Sequence, residues 1–282
     1  MGELQTILVD RPSEGVARIT LDRPEKRNAI STPMRTELLA TLEAHDLDPD
    51  VRVTILRGGG DCFSAGYDLG GDLMNDPPFH SAPGDGQWAR QATQTWLNFW
   101  DLAKPVIAQV HGYAIAGATE LAQACDLVYV AEDARIGYPI VRVASPPDWQ
   151  YHAPLLGMRR AMEIMLTGED ITGTEAAAIG WANRAFPADE LDAEVLDVAE
   201  RIAAVATDLA QINKRMVHRQ AEVMGVRAAM RAGNEFQALA GHQASVEAFK
   251  ADPLGMMKKH NAADAARREA KAARKAASSD PQ

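Results

Sequence analysis

The chain has 282 residues, 46% of them hydrophobic and 24% charged, the composition of an ordinary globular protein able to bury one large core. A formal net charge of −10 excludes the basic footprint of a general nucleic-acid binder, and no apolar run reaches the length of a membrane span. Cys62 and Cys125 show neither disulfide nor metal spacing, and Glu3 and Asp10 stand where a signal peptide would be basic and then apolar, so the expected location is a reducing cytoplasm.

Ile7–Val9 and Val16–Leu21 read as two strands around the turn Pro12-Ser13-Glu14-Gly15. A charged turn, Asp22 to Arg27, leads to Ser31 or Thr32, either of which can cap a helix running towards His45 with Pro33 in its first turn. Val51–Arg57 is a strand closed by Gly58-Gly59-Gly60, and those glycines lack the G-x-G-x-x-G spacing of a dinucleotide site. Residues 70–86, rich in Gly, Pro and Asp, predict a loop; the following helix carries Trp88, Trp96, Phe99 and Trp100, the last three at the spacing of a core-facing stripe.

The central stretch runs from Lys104 to Asp126. Val106–Val110 is a short buried strand, a turn follows, and a helix opens near Gly117 with Glu120 in its first turn. Main-chain N–H groups at a helix start can hold developing negative charge, and a carboxylate beside them can move protons. The helix dipole alone would also favour a glutamate there. Leu127–Ala131 is a further buried strand. Beyond it lie three polar residues: Tyr138; Asp148, by itself a turn aspartate after two prolines; and His152, read as a structural hydrogen-bonder. Residues 157–187 read as scaffold, and helices are expected over Leu191–Ala206, Leu209–Gly225 and Val226–Lys250. Lys258–Gln282, rich in Ala, Lys and Arg, is either an exposed helix or a frayed tail.

His111-Gly-Tyr-Ala-Ile-Ala-Gly-Ala-Thr-Glu-Leu-Ala122, followed by Ala124-Cys125-Asp126, resembles the central signature of the enoyl-CoA hydratase/isomerase (crotonase) superfamily. Leu21–Ala29, Cys62–Leu69, Ala134–Ile140, Gly157–Gly168 and Thr174–Asn183 resemble further passages of that family, so the likeness covers roughly residues 5–250. It implies an α/β fold, a crotonase (ClpP-like) ββα spiral core over residues 1–205, with a helical trimerisation region and tail over 206–282. It implies an acyl-CoA thioester substrate, no cofactor beyond the coenzyme A of that substrate, and a homotrimer or hexamer without membrane or nucleic-acid partners. The main-chain N–H groups of Tyr67 and Gly117 would form an oxyanion hole around a thioester enolate, and Glu120 would be the acid/base. Arg23, Lys26 and Arg27, with Ala29, Ala65, Gly66, Asp68, Leu69, Tyr138 and Ile140, would line the acyl-CoA site.

Two departures from the family pattern bear on reaction type. Hydratases of the family place a second glutamate twenty positions after the first, where this chain has Ile140, and isoleucine neither activates water nor supplies a proton. Relatives such as chlorobenzoyl-CoA dehalogenase and naphthoate synthase carry a catalytic aspartate near the position of Asp148, which makes Asp148 the candidate replacement. The family's closing Phe-x-Glu-Lys-Arg segment is at best partial at Phe249. The expected activity is that of an enoyl-CoA hydratase/isomerase enzyme, with slow hydration unless Asp148 substitutes. The alternatives are decarboxylation, double-bond migration or C–C cleavage of a CoA thioester, or an acyl-CoA-binding or RNA-associated protein without catalysis.

Overall fold

The computed structural model describes residues 4–70, 86–144 and 147–278. The loop expected over 70–86 falls almost wholly outside them, as do the last four residues of the tail.

An antiparallel hairpin opens the chain, β1 (Ile7–Ser13) and β2 (Gly15–Leu21), turning on Gly15 at φ +75. Helix α1 (Thr32–Leu47) starts where Ser31 Oγ accepts the N–H of Met34, with Pro33 in the first turn. Strand β3 (Val51–Gly58) then pairs parallel to β2. Next come α2 (Gln87–Asp101), β4 (Val106–Val110), the short β5 (Tyr113–Ile115), α3 (Gly117–Ala124), β6 (Leu127–Ala131) and β7 (Arg135–Gly137). A 3₁₀ turn (Pro139–Arg142), α4 (His152–Leu156) and α5 (Met158–Thr167) lead to β8 (Ile171–Thr172), α6 (Gly173–Ala178) and β9 (Arg184–Phe186).

The strands form two sheets. One has six strands in the order β1-β2-β3-β4-β6-β9, parallel beyond the first hairpin; the other has three, in the order β5-β7-β8. Alternation along the strands of the large sheet feeds two separate cores. Val53, Ile55, Ile107, Tyr129 and Ala131 face α7 (Leu191–Ala203) through its Leu191, Val195, Val198 and Ala199. Leu56, Val106, Ala108, Val128 and Val130 face the other way, into the core shared with Met34 and Leu38 of α1, Trp96 and Phe99 of α2 and Leu121 of α3. Every residue of α3 is buried, so this helix runs through the middle of the molecule.

The C-terminal region is helical as expected, with different boundaries: α8 (Thr207–Val223), α9 (Val226–Ala240), α10 (Ala244–Ala251) and α11 (Pro253–Ser278). The single helix expected over 226–250 breaks at Gly241–Gln243, where a chain of 3₁₀-type bonds closes the end of α9. The tail resolves in favour of helix, since α11 folds back to the 3₁₀ turn. There the Arg142 guanidinium bonds to the Asp264 carboxylate, to His260 Nε2 and to the carbonyls of Thr167 and Gly168. None of the described helices is long and apolar enough to cross a membrane.

Candidate active site

Three strips of chain converge to build the site. Residues 62–68 run between the turn 27–30 and strand β5, and main-chain bonds hold them on both sides. Towards the turn, Ala65 N donates to Arg27 O, Ile30 N to Gly66 O, and Asp68 N to Ile30 O. Towards β5, Phe63 N donates to His111 O, Ser64 N to Tyr113 O, and Ile115 N to Ser64 O. Such pairing needs backbones closer than side chains permit: a Cβ on Gly112 would lie 2.0 Å from Asp61 O, and one on Gly66 would lie 2.6 Å from Ile115 O.

Asn28 fastens the turn. It is fully buried, its amide donates to Gly59 O and Cys62 O at 2.8 and 2.9 Å, and its Oδ1 accepts Arg23 N at 3.0 Å. Arg23 is held within the protein, donating to Asp68 Oδ2 at 2.9 Å and Ala29 O at 2.7 Å. Of the basic side chains assigned to coenzyme A, Lys26 and Arg27 are therefore the two displayed on the surface.

The bridge between Tyr67 and Ile30 uses the carbonyl before Tyr67 and the N–H after it. Tyr67's own N–H consequently points to the opposite side, and no protein acceptor meets it among the described residues. The same strip passes close to the start of α3: a Cβ on Gly66 would lie 3.2 Å from Gly117 N, and Gly117 N–H, at the first helical position, has no acceptor within the helix. Ala116, the residue before, sits at φ 54, ψ −125, a conformation that L-residues avoid and one that sets the direction of the Gly117 amide.

Glu120 lies one turn into α3 and is completely buried. Its Oε2 accepts the Tyr67 phenol at 2.7 Å and Trp96 Nε1 at 3.3 Å, and its Oε1 accepts Asp148 N at 3.0 Å. The Tyr138 phenol and the main chain of Trp149 lie nearby. Burial outweighs the donors and lifts the Glu120 carboxyl from 4.5 to about 7.

Asp148 is 2% exposed, and its carboxyl is poorly satisfied. Trp88 Nε1 donates to Oδ2 at 3.2 Å, while Oδ1 has no partner among the described residues. Burial first, and the neighbouring Glu120 charge second, push its pKa well above the ordinary carboxylate range. Arg35, buried in α1 with its guanidinium 4.5 Å from the centre of the Trp88 ring, is the cation that opposes this. Burial raises both carboxyls, and the charge of each opposes ionisation of the other, so the two compete for the negative charge. The donor inventory decides where: Glu120, with several, is the better anion, and Asp148, with one, the better acid.

The sequence candidates thus divide. Glu120, Asp148, Tyr67, Gly117 and Tyr138 come together; Ala65, Gly66 and Asp68 hold the strip that carries Tyr67; Ile140 is half-buried on the 3₁₀ turn two positions beyond Tyr138. Trp96 is both core and site, because its indole nitrogen reaches the carboxylate that its ring helps to bury. His152 departs from its expected role. It stacks on Tyr151 at 4.0 Å, its Nδ1 has no partner among the described residues, and burial lowers its pKa to about 4, so the ring packs as a neutral aromatic. Sequence reasoning missed Trp88, Arg35, Thr93 and Asn234. Thr93 Oγ1 lies 2.8 Å from Asp148 O and 2.7 Å from Asn234 Oδ1, tying the Asp148 segment to α2 and α9. No sequence signal marks these, because the burial of Arg35 on the core-facing side of α1 is visible only in the structure.

The family model for enoyl-CoA hydratase/isomerase matches residues 11–254. A mitochondrial enoyl-CoA hydratase of Pongo abelii is 31% identical over 206 residues, which is 72% of this chain and 69% of that protein. Among solved structures, an enoyl-CoA hydratase from Mycobacterium smegmatis superposes with a TM-score of 0.80 at 35% identity, covering 88% of this chain and 89% of that one. An enoyl-CoA hydratase/isomerase from Xanthobacter autotrophicus Py2 gives a TM-score of 0.83 at 34% identity, with 92% and 98% covered. In sequence and in fold alike, the chain belongs to the enoyl-CoA hydratase/isomerase family of the crotonase superfamily.

Proposed function

We propose that the protein acts on an acyl-CoA thioester by making and quenching its enolate. The observation that carries this reading is the pair of buried carboxylates, Glu120 and Asp148, joined through the Asp148 N–H to Glu120 Oε1 bond, near two main-chain N–H groups that have no protein acceptor among the described residues. The amides of Tyr67 and Gly117 take the thioester oxygen and hold the charge that develops on it, an interaction whose loss typically costs about 2.7–4 kcal/mol of barrier. Glu120, the better hydrogen-bonded anion, is the final acceptor of the α-proton. Asp148, the better acid, returns a proton at the neighbouring carbon or to a leaving group, a duty Ile140 cannot perform. Lys26 and Arg27 are the exposed cations available to coenzyme A phosphates.

Replacement of the second glutamate by Ile140 favours enolate reactions without water addition, such as double-bond migration, decarboxylation or C–C cleavage, over rapid hydration. A panel of enoyl-, 3-hydroxyacyl- and malonyl-type CoA thioesters distinguishes these. Turnover on any of them should fall at least about 100-fold in Glu120→Gln and in Asp148→Asn. Tight binding of acyl-CoA with no turnover on any of them would instead make the protein a binding module. The same reading includes a cytoplasmic homotrimer or hexamer. Met158, Met162 and Leu166, along one side of α5, are 72%, 54% and 74% exposed and supply apolar surface for assembly, and sedimentation velocity should show three or six copies.

A further inference from the structure

The Glu120 carboxylate is sealed. It is 0% exposed, both of its oxygens already accept hydrogen bonds, and the groups around it are aromatic rings and main chain. Among the described residues, none leaves a substrate α-carbon an open approach to it. The group that stands between Glu120 and the half-buried side of the site is the Tyr67 side chain. Its ring lies across the opening of α3, where a Cβ on Gly117 would come within 2.5–2.9 Å of the ring carbons Cε2, Cδ2 and Cζ. Trp88 meets this ring edge-on at 5.2 Å and Trp96 stacks on it at 6.5 Å, which fixes its plane. The phenol oxygen gives its hydrogen to Glu120 at 2.7 Å and receives one from Trp96 Nε1 at 3.0 Å. No other described group donates to the phenol oxygen, which leaves its second, weaker acceptor direction uncommitted.

We propose that the Tyr67 phenol is a catalytic residue of this site, the carrier of the α-proton between substrate and Glu120. As the substrate C–H bond breaks, its electron pair moves into the enolate held by the Tyr67 and Gly117 amides. The α-proton passes to the phenol oxygen while the phenol's own proton passes to the Glu120 carboxylate. The phenol is neutral before and after the step. Concerted transfer is required because burial, with the nearby carboxylate charges, holds the Tyr67 phenol well above its ordinary pKa and a free phenolate does not form. One residue would then serve the reaction twice, its main chain at the carbonyl oxygen and its side chain at the α-carbon.

This rests on the enolate reading, and the test separates the two. The wild-type protein is incubated in D2O with saturated acyl-CoA thioesters from acetyl- to octanoyl-CoA, and α-deuterium incorporation is followed by mass spectrometry alongside Tyr67→Phe, Tyr67→Ala and Glu120→Gln. The expected result is exchange by the wild type on at least one thioester, a loss of about 100-fold or more in Tyr67→Phe, KM within about threefold, and an equal or larger loss in Tyr67→Ala. Both Tyr67 variants keep the main-chain amide, and the Phe ring keeps the packing against Gly117. A loss under tenfold in Tyr67→Phe while Glu120→Gln is inactive overturns the relay and leaves the enolate reading standing. Exchange higher in Tyr67→Ala than in Tyr67→Phe also overturns it, because the ring would then be an obstruction. No exchange by the wild type on any thioester overturns the enolate reading itself.

Discussion

Glu120 can be tested without knowing the substrate, through the pH dependence of folding. In the unfolded chain its carboxyl titrates near 4.5, whereas in the folded protein burial holds the proton until about 7. Between those values the native state binds more protons than the unfolded state, so this group makes stability fall as pH rises. Its contribution is neutral below 4.5, is lost progressively through the window, and is flat above 7. At about 1.4 kcal/mol per tenfold change in proton affinity, the total is about 3 kcal/mol, with no reduction for solvent screening because the group is fully buried. Glu120→Gln removes the charge and can keep the network. Its amide NH2 can replace Oε2 if the Tyr67 hydroxyl turns to accept it, and Trp96 then still donates to Tyr67. Relative to wild type, the variant should gain about 3 kcal/mol between pH 4 and pH 8, measured by urea unfolding at fixed protein concentration with both proteins at each pH. A difference that stays constant within about 0.5 kcal/mol would mean that Glu120 ionises as freely as in the unfolded chain, and the case for it as a base tuned near neutrality would fail.

Other elements yield sharper structural tests. Asn28→Ala leaves Gly59 O, Cys62 O and Arg23 N without their buried partner and should cost roughly 3 kcal/mol in chemical denaturation. At Ala116, relief of the unfavourable backbone competes with glycine's entropy, so Ala116→Gly should be neutral or stabilising by up to about 1 kcal/mol, while the β-branched Ala116→Val should cost more than about 2. Arg142→Ala removes the clamp between the 3₁₀ turn and α11, and limited proteolysis should then cut within residues 253–278 at least tenfold faster while the large sheet stays resistant.

Much of the frame was legible because it rests on local rules. The Ser31 cap, the buried runs 51–57, 106–110 and 127–131, and the helix opening at Gly117 all follow from periodicity and capping, and all are present. The break at Gly241–Gln243 was passed over because apolar spacing continues across it, although Gly241, the C-cap of α9, is a residue type that ends helices. In the site, the main-chain positions Tyr67 and Gly117 and the carboxylates Glu120 and Asp148 could be named from motif resemblance. Their electrostatics could not. Arg35 lies 85 positions before Glu120 and 113 before Asp148 in sequence, and nothing in a helix-spaced arginine announces that it will be buried against Trp88 opposite two acids. The same holds for Trp96, whose spacing marks it correctly as core and conceals the one polar atom that reaches Glu120.

The local costs of this architecture fall where the chemistry is placed. A short helix buried on every side exposes no charged face to water, so its lone carboxylate can be accommodated only by importing donors: a phenol from the 62–68 strip, an indole from α2 and a main-chain N–H from the 148 segment. Each donor that stabilises Glu120 as an anion also closes a route to it, and the two requirements meet at Tyr67. A site that needed only an accessible base would leave a carboxylate oxygen open. One built on a relay surrounds the base and leaves the hydroxyl with an uncommitted acceptor direction, which is the arrangement around Tyr67. The unfavourable conformation of Ala116 fits the same logic, because it turns the first amide of α3 towards the Tyr67 strip, the residue pair to which the proposed oxygen-binding and proton-carrying roles are assigned.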